Sequence, residues 1–102
     1  MKLRYTPEAR RDLRLIKQYI AVDLCNPIAA ESVIQKILKS CAVLKEHSNM
    51  GVELSEKIQR DTDLRYIISG KHLVFYRVEN DYISIVRILD SRTNYIRAVH
   101  LF

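Results

Sequence analysis

The stretch LRYIISGKHLVFYRVENDYISIVRIL, residues 64–89, decides the fold. Its Leu, Ile, Val, Tyr and Phe residues interleave with polar ones, the composition of a pleated, half-buried surface. Ser69-Gly70 and Asn80-Asp81 are turn-type pairs that cut it into three short strands, which predicts an antiparallel meander. Two-residue hairpin loops fix the register. With Ser69-Gly70 as the first loop, Ile68 pairs with Lys71, Tyr66 with Leu73, Arg65 with Val74 and Leu64 with Phe75. With Asn80-Asp81 as the second, Val78 pairs with Ile83, Tyr76 with Ile85, Val74 with Arg87 and Leu73 with Ile88.

Two faces follow from that register. One holds Leu64, Tyr66, Ile68, Leu73, Phe75, Val86 and Ile88, with the polar Arg77 and Ser84 toward one end, and is expected to pack on helices. The other holds Arg65, Ile67, His72, Val74, Tyr76, Val78, Ile83, Ile85, Arg87 and Leu89. Arg65 and Arg87 flank Val74 in one row, about 10 Å apart at roughly 5 Å per strand. Arginines set in an apolar sheet face point to an open, concave binding surface.

Outward from the meander, Lys2 to Thr6 alternates as a short strand, and Thr6-Pro7-Glu8 stops it. Threonine suits an N-cap, proline the first helical position and Glu8 the positive first turn. Leu13, Ile16, Ile20 and Leu24 then repeat at helical spacing, with Arg10, Arg14 and Lys17 on another face. Asn26-Pro27 repeats the same punctuation and opens a second helix, whose apolar stripe is Ala30, Val33, Ile34, Ile37, Leu38, Cys41 and Leu44. His47 to Gly51 breaks it, so the two helices form an antiparallel hairpin. Val52 to Thr62 reads as a loop holding one helical turn or an edge strand. After Leu89, Asp90 to Tyr95 leaves the last strand, and Leu101-Phe102 ends a short tail or terminal helix. The fold class is α+β: an N-terminal strand, a helical hairpin packed on one face of a small antiparallel sheet, and a short C-terminal segment.

The chain has 102 residues with 48% hydrophobic content, which predicts a single domain over residues 1–102 with one packed core. Its net charge of +5, from 17 Lys and Arg against 12 Asp and Glu, favours an acidic partner, either nucleic acid or protein. Cys25 and Cys41 are too few and too isolated for a zinc site or a disulfide framework, so no metal and no cofactor is expected, and the thiols fit a reduced, cytoplasmic setting. No apolar run reaches the roughly 20 residues of a membrane span, and MKLRYTPEARR lacks the apolar centre of a signal peptide.

The opening YTPEARRDLRLIKQYI, Gly51 after the second helix, the LR…GKHLVFYRV…IVRIL core and the short LF tail together resemble the RelE/ParE superfamily, the toxins of bacterial type II toxin–antitoxin pairs. The likeness covers nearly the whole chain and is closer to the ParE branch. It implies a growth-inhibitory toxin neutralised by a cognate, acidic antitoxin, which would cover the arginine-bearing sheet face: Arg65, His72, Val74, Tyr76, Arg87 and Leu89. Operator DNA would be met only through that antitoxin. ParE-like relatives poison DNA gyrase, and gyrase is the leading target. RelE-like relatives cleave messenger RNA on the ribosome through attack by the 2′-hydroxyl, the alternative reading; a non-toxic, antitoxin-binding relative is a further one.

An RNA-cleaving site needs a base, a cation for the phosphorane and a proton donor. The resemblance would give functional roles to Arg65, Arg92 and Tyr95 and leaves the base unassigned: His47, His72 and Lys71 are eligible types, while Asp90 stands where many nucleolytic relatives carry a nitrogen-bearing group. Plainer readings stand beside these. Arg65 can pair with Asp63 or Asp90 at the sheet edge. Arg10, Arg11, Arg14 and Lys17 read as solvated surface diluted by Glu8 and Asp12. His72 and His100 read as ordinary strand and tail residues, His47 as a favourable charge at a helix end, and Tyr95 as a packing anchor.

Overall fold

Local punctuation sets the first half of the chain. In the computed structural model, which describes residues 1–94 and residue 97, strand β1 (Lys2–Tyr5) ends at Thr6. The Thr6 hydroxyl oxygen accepts from the Ala9 N–H at 3.1 Å and opens helix α1 (Pro7–Gln18). The same hydroxyl donates to the Val86 carbonyl at 3.0 Å, so the cap also pins the helix start to the sheet. Past Gln18 the helix widens into a π turn, Tyr19–Asp23, where the Leu24 N–H reaches back to the Tyr19 carbonyl at 3.0 Å. Cys25, at φ 52°, closes it in the left-handed conformation that usually falls to glycine. Asn26 then caps helix α2 (Pro27–Val43) by accepting from the Ala29 N–H at 3.1 Å, completing the predicted hairpin.

The second half makes the sheet. Strand β2 (Val52–Glu53), helix α3 (Leu54–Ile58), β3 (Arg65–Ser69), β4 (His72–Val78) and β5 (Tyr82–Asp90) follow in order. The segment read as a turn or an edge strand holds both. The five strands lie in the order β1-β5-β4-β3-β2. All neighbours are antiparallel except β1, which runs parallel to β5 from Lys2 opposite Tyr82 to Tyr5 opposite Ile85. The architecture is the expected α+β one, with β1 joining the sheet on its β5 side.

The predicted register holds only near the second turn. Val78 faces Ile83 and Tyr76 faces Ile85, as a two-residue Asn80-Asp81 loop requires. A bulge between Phe75 and Tyr76 then shifts the pairing, so that Arg87 lies opposite Phe75, Ile88 opposite Val74 and Leu89 opposite Leu73. In the first hairpin the loop is Gly70-Lys71, with Ser69 opposite His72 and Arg65 opposite Tyr76. Gly70 at φ 59° supplies the positive φ needed at the first loop position, which Ser69 would adopt only with strain.

The two faces are reversed relative to expectation. Ile67, Val74, Tyr76, Ile83, Ile85 and Ile88 pack against Ala9 of α1 and Ile37 and Cys41 of α2, so the helices cover the face expected to be open. Leu64, Tyr66, Leu73, Phe75, Val86 and Leu89 form a second cluster with Leu54 and Ile58 around α3. Both faces are apolar enough for a core, and periodicity alone does not say which one the helices take. The bulge also exchanges Ile88 for Leu89 on the helix side.

Tyr76 is fully buried, yet its hydroxyl is satisfied: it donates to the Ser48 carbonyl at 2.8 Å and accepts from the Gly51 N–H at 2.9 Å. A Cβ on Gly51 would collide with the Tyr76 hydroxyl and ring and come within 2.9 Å of the Tyr66 carbonyl, so only glycine fits there. Among the described residues no helix is long and apolar enough to cross a membrane. The expected C-terminal tail or helix lies outside the described residues.

Candidate functional site

The sheet arginines find acids or carbonyls rather than an open face. Arg65 donates to the Gly51 carbonyl at 2.9 Å and to Glu53 at 3.1 Å, fastening the short edge strand β2. Arg87 forks onto Asp12 of α1 at 2.7 and 3.0 Å. The Asp12 carboxylate also accepts from the Ile88 N–H at 2.8 Å, beside the bulge, so one acid on the helix holds a cation and a backbone donor of β5. Arg65 and Arg87 therefore act as structural ties and do not flank Val74. Val74 and Tyr76 are fully buried under the helices, and Leu89 is buried in the cluster around α3. Val74, Tyr76 and Leu89 thus present little surface of their own, while Arg65, His72 and Arg87 are half-buried. The physical reason is that each half-buried arginine is matched by a carboxylate from a neighbouring element, which the strand sequence alone does not display.

Exposed apolar area lies elsewhere. A groove of about 690 Å³ runs between the helical hairpin and the β3–β4 turn, walled by Leu15, Ile16, Tyr19, Ile20, Leu24 and Val33. Leu15, Tyr19 and Leu24 are about half exposed, at 52%, 49% and 55%. At about 100° per residue, Leu24 would stand opposite Leu15 on an unbroken α-helix. The residue inserted by the π turn brings it round to the groove side. The groove is thus a consequence of the irregular end of α1.

Its rim is polar and carries Lys36, Ser69, Gly70, Lys71, His72, Asp90 and Arg92. His72 stands opposite Asp90 across β4 and β5. Desolvation pushes the imidazole below its ordinary value, against the pull of Asp90 and with the help of Lys71, which favours the neutral form of His72. Asp90 accepts from the Arg92 side chain at 3.1 and 3.2 Å and from the Arg92 backbone N–H at 2.8 Å. Those bonds hold its carboxyl down at about 2, so it is an anion at neutral pH that neutralises Arg92. Lys36 and Lys71, with no ion-pair partner among the described residues, supply the groove's positive charge. Among the described residues no three His, Cys, Asp or Glu side chains gather as a metal site. An apolar trough with cations at its edge suits an amphipathic helix or peptide bearing acids along its flank.

Of the residues singled out from sequence, His72 and Arg92 meet at this groove, Arg65 and Arg87 do not, and Tyr95 lies outside the described residues. Leu15, Tyr19, Val33 and Lys36 were not among them. Their signal was present in the first helix, where Leu15, Tyr19 and Val22 are apolar but fall off the Leu13-Ile16-Ile20 stripe and mark a second apolar face.

Comparison with known proteins gives the groove a context. Residues 3–95 match the family model described as "ParE toxin of type II toxin-antitoxin system, parDE". A solved structure, "Chromosomal ParDE TA system from P. aeruginosa", superposes with a TM-score of 0.74 at 27% identity, covering 88% of this chain and 95% of that one. No curated protein matches at the significance required. With nine-tenths of its length matched, the chain belongs to the ParE toxin family of type II toxin–antitoxin systems, within the RelE/ParE superfamily.

Proposed function

We propose that this type II toxin arrests growth by acting on DNA gyrase in the cytoplasm, and that a cognate antitoxin neutralises it by laying an acidic amphipathic segment in the groove between the helical hairpin and the β3–β4 turn. The single observation that carries the reading is the family match over residues 3–95. The groove supports the antitoxin half of it. A half-exposed Leu15, Tyr19 and Leu24 beside Lys36 and Lys71 is the combination that an apolar, acid-flanked helix covers.

Gyrase is favoured over messenger RNA by the chemistry at the end of β5. Cleavage through the 2′-hydroxyl needs a cation at the phosphorane, a role the ribonuclease reading gives to an arginine. Arg65 and Arg92, two of the residues the ribonuclease reading would use, are engaged with Glu53 and Asp90. Asp90 remains ionised beside the groove and repels a phosphate.

Induction of the chain alone in a bacterium separates the readings. The gyrase reading expects arrest with a DNA-damage response and intact messages. Rapid translational arrest with cleaved messages would replace it with the ribonuclease reading, and unaffected growth with a non-toxic, antitoxin-binding role.

A further inference from the structure

Arg4, Arg65, Arg77, Arg87 and Arg92 are each tied to an acid: Glu79, Glu53, Asp63, Asp12 and Asp90. Arg10, Arg11 and Arg14, all exposed on α1, have no such partner among the described residues. The acids placed among them in sequence do not neutralise them. Asp12 is turned inward, 8% exposed, and is spent on Arg87 and the Ile88 N–H. The charge of Glu8 is felt by Arg87 as well, and Lys17 is paired with Glu31 at 3.4 Å. What sequence presents as a run diluted by two acids is, in the fold, one with Asp12 withdrawn and only Glu8 left beside it at the surface.

We propose that Arg10, Arg11 and Arg14 form a contact for the phosphate backbone of duplex DNA. Arg10 and Arg14 sit one helical turn apart, about 5–6 Å between their Cβ atoms, with Arg11 alongside, so the three guanidinium groups can fan over successive phosphates. A guanidinium fork matches two phosphate oxygens at once. Nothing in the row reads a base or offers an apolar anchor: the neighbouring exposed apolar side chain, Leu15, lines the groove. Protein interfaces are centred on apolar or aromatic anchors, whereas sequence-independent DNA contact rests on unpaired cations that displace counterions. The contact does not depend on which target the toxin has, and it means that DNA is touched directly and not only through the antitoxin.

Fluorescence anisotropy of the full chain on a short random-sequence duplex, titrated at several salt concentrations, tests this. Three phosphate contacts give a log–log salt slope of about −2.7, roughly a 40-fold loss of affinity between 50 and 200 mM salt. Arg10→Gln/Arg11→Gln/Arg14→Gln is expected to remove about that much slope. The corresponding triple Lys variant keeps it, and Lys39→Gln/Lys45→Gln, two exposed lysines of the α2 side, leaves it unchanged. All of these are surface changes, and a melt followed by circular dichroism verifies that each variant is folded. The proposal is overturned if the parent chain does not bind the duplex, if the Gln triple keeps the slope, or if the triple loses affinity for polyglutamate while keeping it for DNA, which would assign the row to an acidic protein.

Discussion

Replacing Asp12 with alanine is expected to be among the most damaging single changes to this fold, although it touches no part of the groove. The Asp12 carboxylate is nearly buried and receives three bonds, two from Arg87 and one from the Ile88 N–H. A buried backbone N–H left without an acceptor costs about 1–3 kcal/mol. Breaking a buried ion pair costs about 3–5 kcal/mol, but the Arg87 side chain is 22% exposed and also feels Glu8, so water and that second charge return a good part of it. Together these place Asp12→Ala at about 2–4 kcal/mol of lost stability. Asp12→Asn keeps an oxygen for the Ile88 N–H and loses the charge and the bond from Arg87 Nη2, which places it at about 1–2 kcal/mol. Adding Arg87→Met to Asp12→Ala removes the uncompensated cation and is expected to recover part of the loss. Urea unfolding followed by circular dichroism, with the slope m held common to all variants, measures each. A loss below about 0.5 kcal/mol for Asp12→Ala, or equal losses for the Ala and Asn variants, would refute the assignment of Asp12 as the joint between helix layer and sheet.

Other outcomes follow from the same structure. Gly51→Ala is expected to lose about 2–3 kcal/mol by forcing Tyr76 and the Tyr66 carbonyl apart, and combining it with Tyr76→Phe to lose less than the sum of the two, as a double-mutant cycle by urea unfolding would show. Cys25→Gly relieves a left-handed residue and is expected to raise stability by about 0.5–1 kcal/mol, where Cys25→Ala does not. Asp90 titrates at about 2 rather than 3.8 because it accepts from Arg92, so its contribution to stability is complete above pH 3.8 and is lost as the pH falls toward 2. Carboxyl NMR titration of Arg92→Ala is therefore expected to return the Asp90 midpoint toward 3.8. Tyr19→Ala, at a half-exposed groove position, is expected to weaken antitoxin binding by roughly tenfold or more while changing the unfolding free energy by under about 0.5 kcal/mol.

The parts of this molecule legible in sequence are those decided by neighbours in the chain. Thr6-Pro7 and Asn26-Pro27 place both helix starts because a cap is a contact across three residues. Asn80-Asp81 fixes the second hairpin for the same reason. The first hairpin was misplaced by one loop position, since Ser69-Gly70 and Gly70-Lys71 both contain the glycine and only the fold shows which residue takes the positive φ. The bulge at Phe75/Tyr76 leaves no mark in the apolar pattern, and it alone changes which of Ile88 and Leu89 faces the helices.

The reversal of the sheet faces had the deeper cause. Arg65 and Arg87 argued for an open face as long as their partners were unknown, and those partners, Glu53, the Gly51 carbonyl and Asp12, lie 12 to 75 residues away in sequence. The groove was missed for a related reason. Leu15 and Tyr19 look like the back of an amphipathic helix until the π turn swings Leu24 toward them and the β3–β4 turn closes the other side.

Gyrase supercoiling of relaxed plasmid, with the purified chain added alone and then with its antitoxin, tests the central claim most directly. The account expects supercoiling to fall as the chain is added, to recover when the antitoxin is present, and to escape that recovery when the toxin carries Tyr19→Ala. Unimpaired supercoiling at every toxin concentration, together with cleaved message in a translating extract, would contradict it.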